Sequence, residues 1–213
     1  MKTLKLSILL FVAVFTANAQ SAERYIAAMK QGLTMLDSAR SSEQFAASAN
    51  YFERVAAVAQ QQWLPQYYAG FCNLHVALVG KQDNDAKDAL YDKAMNYAEK
   101  AAQLKPNDSE IGALMGYITY MKMAVEPQTR AMTMIPKANA FLDKAIALNP
   151  ENPRAYFIKG QDTFYTPEAF GGGKARAKGF FTTAVEKFEK DKPADFKPNW
   201  GYARCKSLLQ QCN

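Results

Sequence analysis

Ala138-Asn139-Ala140-Phe141-Leu142-Asp143-Lys144-Ala145-Ile146-Ala147-Leu148-Asn149-Pro150 is one helical phrase: a small residue, an aromatic three positions on, an acid-base pair, an alanine, and a closing Leu-x-Pro. Three further copies stand at Ser48 with Tyr51-Phe52-Glu53-Arg54-Val55, Ala94 with Tyr97-Ala98-Glu99-Lys100-Ala101, and Ala177 with Phe180-Phe181-Thr182-Thr183-Ala184. The aromatics recur at intervals of 46, 44 and 39 residues (97 − 51, 141 − 97, 180 − 141). A unit of that length cannot bury its own apolar face and must stack on its neighbours, so the chain reads as an all-α helical solenoid.

Upstream of each later copy lies a second helical segment with a glycine among large side chains: Tyr67-Tyr68-Ala69-Gly70-Phe71, Leu114-Met115-Gly116-Tyr117 and Tyr156-Phe157-Ile158-Lys159-Gly160. Glycine within a helix costs about 1 kcal/mol relative to alanine, so three at equivalent places predict helices pressed backbone to backbone. Leu104-Lys105-Pro106-Asn107-Asp108 and Leu148-Asn149-Pro150-Glu151-Asn152-Pro153 each stop one helix and cap the next, and Ser41-Ser42-Glu43-Gln44 offers a capping box. The predicted helices are 22–39, 42–60, 65–79, 86–104, 109–125, 136–148, 153–164, 174–189 and 199–209, that is, four helix-turn-helix pairs and a C-terminal capping helix.

The phrase from Ala138 to Pro150 resembles the second half of a tetratricopeptide repeat, and the glycine of each upstream helix resembles that family's packing glycine. The resemblance covers residues 42–205 in outline and is strongest over 137–160. Gln66, Gly112 and Tyr156 stand where the family's first helix carries Trp, and the repeats are longer than the usual ~34 residues. That extra length is assigned to loops between the first and second helix of each pair, projecting from one edge of the array.

The resemblance implies that the first helices of the pairs line a concave face. The positions mapped there are Tyr67, Phe71 and Leu74; Glu110, Ala113, Tyr117 and Tyr120; and Arg154, Phe157, Gln161 and Phe164, with Tyr117, Tyr120 and Phe164 expected to be exposed. An aromatic groove of this kind suits a protein or peptide partner or a small apolar ligand, while the same stripe at helical period also describes a core. Pro167-Glu168-Ala169-Phe170-Gly171-Gly172-Gly173 is read as a long turn in which glycines supply positive φ and Phe170 plugs the stack. It lacks the spacing of a phosphate loop, and it resembles loops of periplasmic tetratricopeptide proteins, including the ligand-binding partners of tripartite transporters.

Lys2 and Lys5, an apolar run from Leu6 to Phe15, and Ala17-Asn18-Ala19 form a signal peptide expected to be cleaved after Ala19, leaving residues 20–213 as one exported repeat domain. The apolar run is well short of the ~20 residues a permanent span needs, and no transmembrane segment is expected after cleavage. The net charge of +6 falls to +4 without the leader and is interleaved with acids, which argues against a nucleic-acid track. The three cysteines show no CxxC spacing, so neither a metal site nor a cofactor is expected; Cys205 and Cys212 could pair only if the last helix ends near Leu209. The single histidine, His75, falls on an apolar helix and reads as structural, and no enzyme is expected. Two functions are expected from this: an exported module binding a protein segment or envelope partner through its aromatic concave face, or a periplasmic binder of a small apolar ligand closed by the long loops.

Overall fold

The computed structural model describes residues 2–212 in backbone and 20–212 in side chains; the expected leader lies outside the described side chains. The chain is all-α, with no strand among the described residues. Its helices are α1 (Lys2–Ser38), α2 (Ser42–Val58), α3 (Trp63–Val79), α4 (Asn84–Leu104), α5 (Ser109–Met123), α6 (Pro127–Leu148), α7 (Pro153–Tyr165), α8 (Lys174–Lys190) and α9 (Tyr202–Gln210). A single 3-10 turn, Glu168–Phe170, sits between α7 and α8.

Local chemistry places the boundaries. The capping box forms at α2, where the Gln44 N–H donates to Ser41 Oγ and the Ser41 N–H donates to Gln44 Oε1. Side-chain oxygens of Asp83, Asp108 and Asn152 accept from the first turns of α4, α5 and α7. Two expectations fail here. The α6 helix begins nine residues before Pro136 and carries that proline inside it; the carbonyl Pro136 cannot bond belongs to Met132, which is exposed to water. The length assigned to inter-helix loops went mostly into lengthened second helices: residues 80–83 and 124–126 suffice to join α3 to α4 and α5 to α6, and the longest connection of that type is 166–173.

Each helix packs on the next in the chain, and α3 also meets α5, which in turn meets α7. The pairs close through the glycines. A Cβ at Gly70 would lie 3.0 Å from the Ala94 carbonyl oxygen on α4; at Gly116, 2.7 Å from Leu142 Cγ on α6; at Gly160, 2.8 Å from the Phe181 ring on α8. The alanines opposite, Ala94, Ala138 and Ala177, are fully buried. Gly32 on α1 makes a fourth such contact, 2.7 Å from the Phe52 ring, at a glycine the aromatic-flanked pattern does not mark.

Candidate functional site

After α8 the chain does not leave the array. Residues 191–201 run back across the inner faces of α3, α5 and α7 and are fastened at several points. Tyr68 donates its hydroxyl to the Phe196 carbonyl at 2.7 Å, and the Trp200 indole N–H donates to the Tyr67 hydroxyl at 2.9 Å. Arg154, only 1% exposed, donates to Glu110 at 3.1 Å, to Asp191 at 2.8 Å and to the carbonyl of Pro198. Its guanidinium also lies over the rings of Phe188 and Trp200. Gly201, at φ 107°, turns the chain where a side chain would strike Phe188 and Phe157.

Trp200 is thereby set into the concave wall. Its ring centroid is 5.0 Å from Phe71, 6.0 Å from Tyr117 in a nearly parallel stack, and 6.4 Å from Phe157. Beside it remains a cavity of about 620 Å³. The wall comes in helical steps: Phe71, His75 and Leu78 from α3; Tyr117, Tyr120 and Met121 from α5; Phe157, Gln161 and Tyr165 from α7; and Trp200 with Arg204 from the C-terminal end. Arg204 is exposed and donates to the Tyr165 hydroxyl at 2.9 Å, placing a cation at the mouth of an otherwise apolar, aromatic chamber.

Of the eleven concave-face positions named from sequence, Phe71, Tyr117, Tyr120, Phe157 and Gln161 line this cavity. Tyr117 and Tyr120, expected to be exposed, keep only 6% and 4% of their surface. Burial raises both phenols above their ordinary pKa, and they stay protonated. Tyr67 and Arg154 stand outside the lining because both hold the returning segment, and burial likewise pushes the Tyr67 phenol well up. Phe164 packs against Phe181 at the α7–α8 contact, with a ring separation of 6.1 Å.

The loop is also corrected. Phe170 plugs nothing: it is 80% exposed. Gly171 and Gly173 do adopt positive φ, and a Cβ on Gly172 would collide with the Thr166 carbonyl. The N–H groups of Gly171, Gly172 and Gly173 all donate to carbonyls of residues 163–168, and the loop is absent from the cavity wall.

Trp200, Tyr165 and Arg204 also line the cavity, although none of them is among the concave-face positions that the sequence marks. His75 was set aside as structural. Its ring packs against Phe71 and Phe45, with centroids 4.1 and 5.0 Å away, and meets Tyr117 edge-on. Its Nδ1 donates to the Phe71 carbonyl at 2.9 Å, the only role open to it opposite a carbonyl oxygen. Burial pushes its pKa down to about 4, against the pull of that carbonyl, so the imidazole is neutral. Cys72, Cys205 and Cys212 are free thiols.

No family model matches the chain, and no curated protein does. Nine chains of solved structures match it. One is the HusA haemophore from Porphyromonas gingivalis, 32% identical, with the match covering 88% of this chain and 92% of that one at a TM-score of 0.79. The chain belongs to the HusA family. Among the described residues no helix is long and apolar enough to cross a membrane.

Proposed function

We propose that this protein is an exported haem-binding protein whose cargo enters the aromatic cavity between α3, α5, α7 and Trp200. The observation that carries this reading is the cavity itself, in a chain that shares 32% of its sequence with a haemophore. About 620 Å³ lies within the ~300–1,000 Å³ of pockets that take small organic ligands. Flat apolar walls suit a flat apolar macrocycle. An exposed Arg204 at the mouth suits the carboxylates such a macrocycle carries at its edge. The alternative of an extended peptide in the concave groove is disfavoured because residues 191–201 of the chain already occupy it. Export rests on the leader pattern of residues 1–19. The sequential pairing of helices, α3 on α5 on α7, and the four glycine contacts support a tetratricopeptide-like array.

The test is a titration of the purified protein with iron(III) protoporphyrin IX, read by visible absorption and by tryptophan emission. The chain has two tryptophans, so a Trp63→Phe background isolates Trp200. Saturable 1:1 binding that quenches Trp200, weakened about tenfold or more by Trp200→Leu or Tyr120→Ala, is expected. Failure to bind, or binding indifferent to both substitutions, refutes the proposal.

A further inference from the structure

We propose that the crevice between residues 20–28 of α1 and the last turns of α2 is a second binding site, separate from the aromatic cavity, which takes a long-chain fatty acid with its carboxylate between Arg24, Arg54 and the Tyr25 hydroxyl. The crevice encloses about 590 Å³, within the ~300–1,000 Å³ of small-molecule pockets, and shares no lining residue with the aromatic cavity. Three donors line it without an acceptor. The sequence has seven arginines, and Arg40, Arg130, Arg154, Arg176 and Arg204 each donate to a carbonyl, a carboxylate or a tyrosine hydroxyl. Among the described residues Arg24 and Arg54 donate to nothing and pair with no carboxylate, and these two line the same crevice, one from α1 and one from α2. Arg54 lies over the face of Tyr51, 5.6 Å from the ring centroid, and the Tyr51 hydroxyl is occupied in donating to Gln31. A guanidinium resting on a ring keeps its N–H fork free for a carboxylate. The third donor is the Tyr25 hydroxyl, which is buried with no hydrogen-bond partner; burial raises its pKa, so it keeps its proton and needs an acceptor.

No Asp or Glu is among the residues that line the crevice, so its charge is positive throughout. The rest of the wall sets the class of ligand. Ala28, Val55, Val58 and Ala59 supply short aliphatic side chains, and Val58, the last residue of α2, is 88% exposed. Such a surface suits a slender alkyl chain, where the broad rings of the other cavity suit a flat guest. A small inorganic anion would pair the arginines and leave Val58 in water, and a neutral lipid would do the reverse. An extended peptide would bring backbone polar groups that an aliphatic wall cannot pair. A chain that ends in a carboxylate meets both demands, and nothing in this reading depends on haem.

The test is calorimetric titration of the purified protein with laurate below its micelle concentration, beside dodecanol, which has the chain without the charge, and butyrate, which has the charge without the chain. Laurate should bind saturably at 1:1, with dodecanol and butyrate about tenfold or more weaker. The Arg24→Ala/Arg54→Ala double variant and Val58→Asp should each weaken laurate about tenfold or more. Tyr25→Phe, which keeps the ring that packs edge-on against Phe196, should weaken it about threefold or more. Arg204→Ala should change it about threefold or less, because Arg204 stands at the mouth of the other cavity. Arg24, Arg54 and Val58 are exposed, so thermal unfolding without laurate should be unchanged in their variants, which separates lost binding from lost fold. The proposal is overturned if laurate fails to bind, or binds no more tightly than dodecanol. It is equally overturned if Arg204→Ala weakens laurate and the double variant does not, which would put the acid in the aromatic cavity. Capture by vesicles of anionic phospholipid with no affinity for free laurate would overturn it as well.

Discussion

Replacing Gly116 with alanine tests the contact on which the helix pairs depend. In a helix exposed to water this change should stabilise by up to ~1 kcal/mol, because alanine is the better helix former. At Gly116 the new methyl would sit 2.7 Å from both Cγ and Cδ2 of Leu142 and 3.3 Å from the Ala138 carbonyl oxygen. Leu142 is fully buried, and its Cγ is not a freely swinging end, so relief requires α5 and α6 to move apart. Overpacking of this kind costs about 1–3 kcal/mol, so the net loss is about 1–2 kcal/mol, the upper part of the range applying because Leu142 has no open side to retreat into. For a domain of this size that lowers Tm by about 2–8 °C. Gly179 on α8 supplies the control, since a Cβ there meets nothing within 4 Å; Gly179→Ala should be neutral or stabilising. Urea unfolding of both variants, with Leu142→Ala and the Gly116→Ala/Leu142→Ala double variant, gives the coupling directly, and it should reach at least about 0.5 kcal/mol. If Gly116→Ala stabilises as much as Gly179→Ala and shows no coupling to Leu142, the close-approach argument is wrong.

Asp162 is buried on α7 with Oδ1 unpaired, and burial pushes its carboxyl up to about 6, outweighing Lys159 and Thr166. The folded state therefore binds the proton more tightly than the unfolded one, so this group's stabilisation is complete below about pH 4 and lost as pH rises through about 6. Asp162→Asn should be more stable than wild type by about 1–3 kcal/mol at pH 7.5, with the gap closing by pH 4 in urea titrations; a gap independent of pH contradicts this. Arg154→Met strands Glu110 and Asp191 and should cost about 3–5 kcal/mol, with Trp200 emission moving to the red in the folded baseline; an unshifted emission would mean that the return segment does not depend on this arginine.

Period and punctuation are local signals, which is why the helix order, the capping box and the three tight glycines could be read before any coordinates. Gly32 escaped because its helix lacks the flanking aromatics that marked the others. The inner positions Phe71, Tyr117, Tyr120, Phe157 and Gln161 followed from helical spacing, but their burial did not, because the group that covers them arrives from about 130 residues away in the case of Phe71. Pro198-Asn199-Trp200 punctuates the chain as the earlier helix junctions do, and nothing in that stretch says that the chain doubles back there. Arg154 looked like a groove residue and became a fastening for the same reason.

A row of helix hairpins touching only their neighbours ordinarily flexes like a spring, each joint contributing a little to the bend. Residues 191–201 act instead as the string of a bow, tying Tyr67 and Tyr68 of α3 to Arg154 of α7, which in turn holds Glu110 of α5. With the string in place the arc from α3 to α7 cannot widen joint by joint. A guest too large for the strung arc gains entry only after the string is released as a whole.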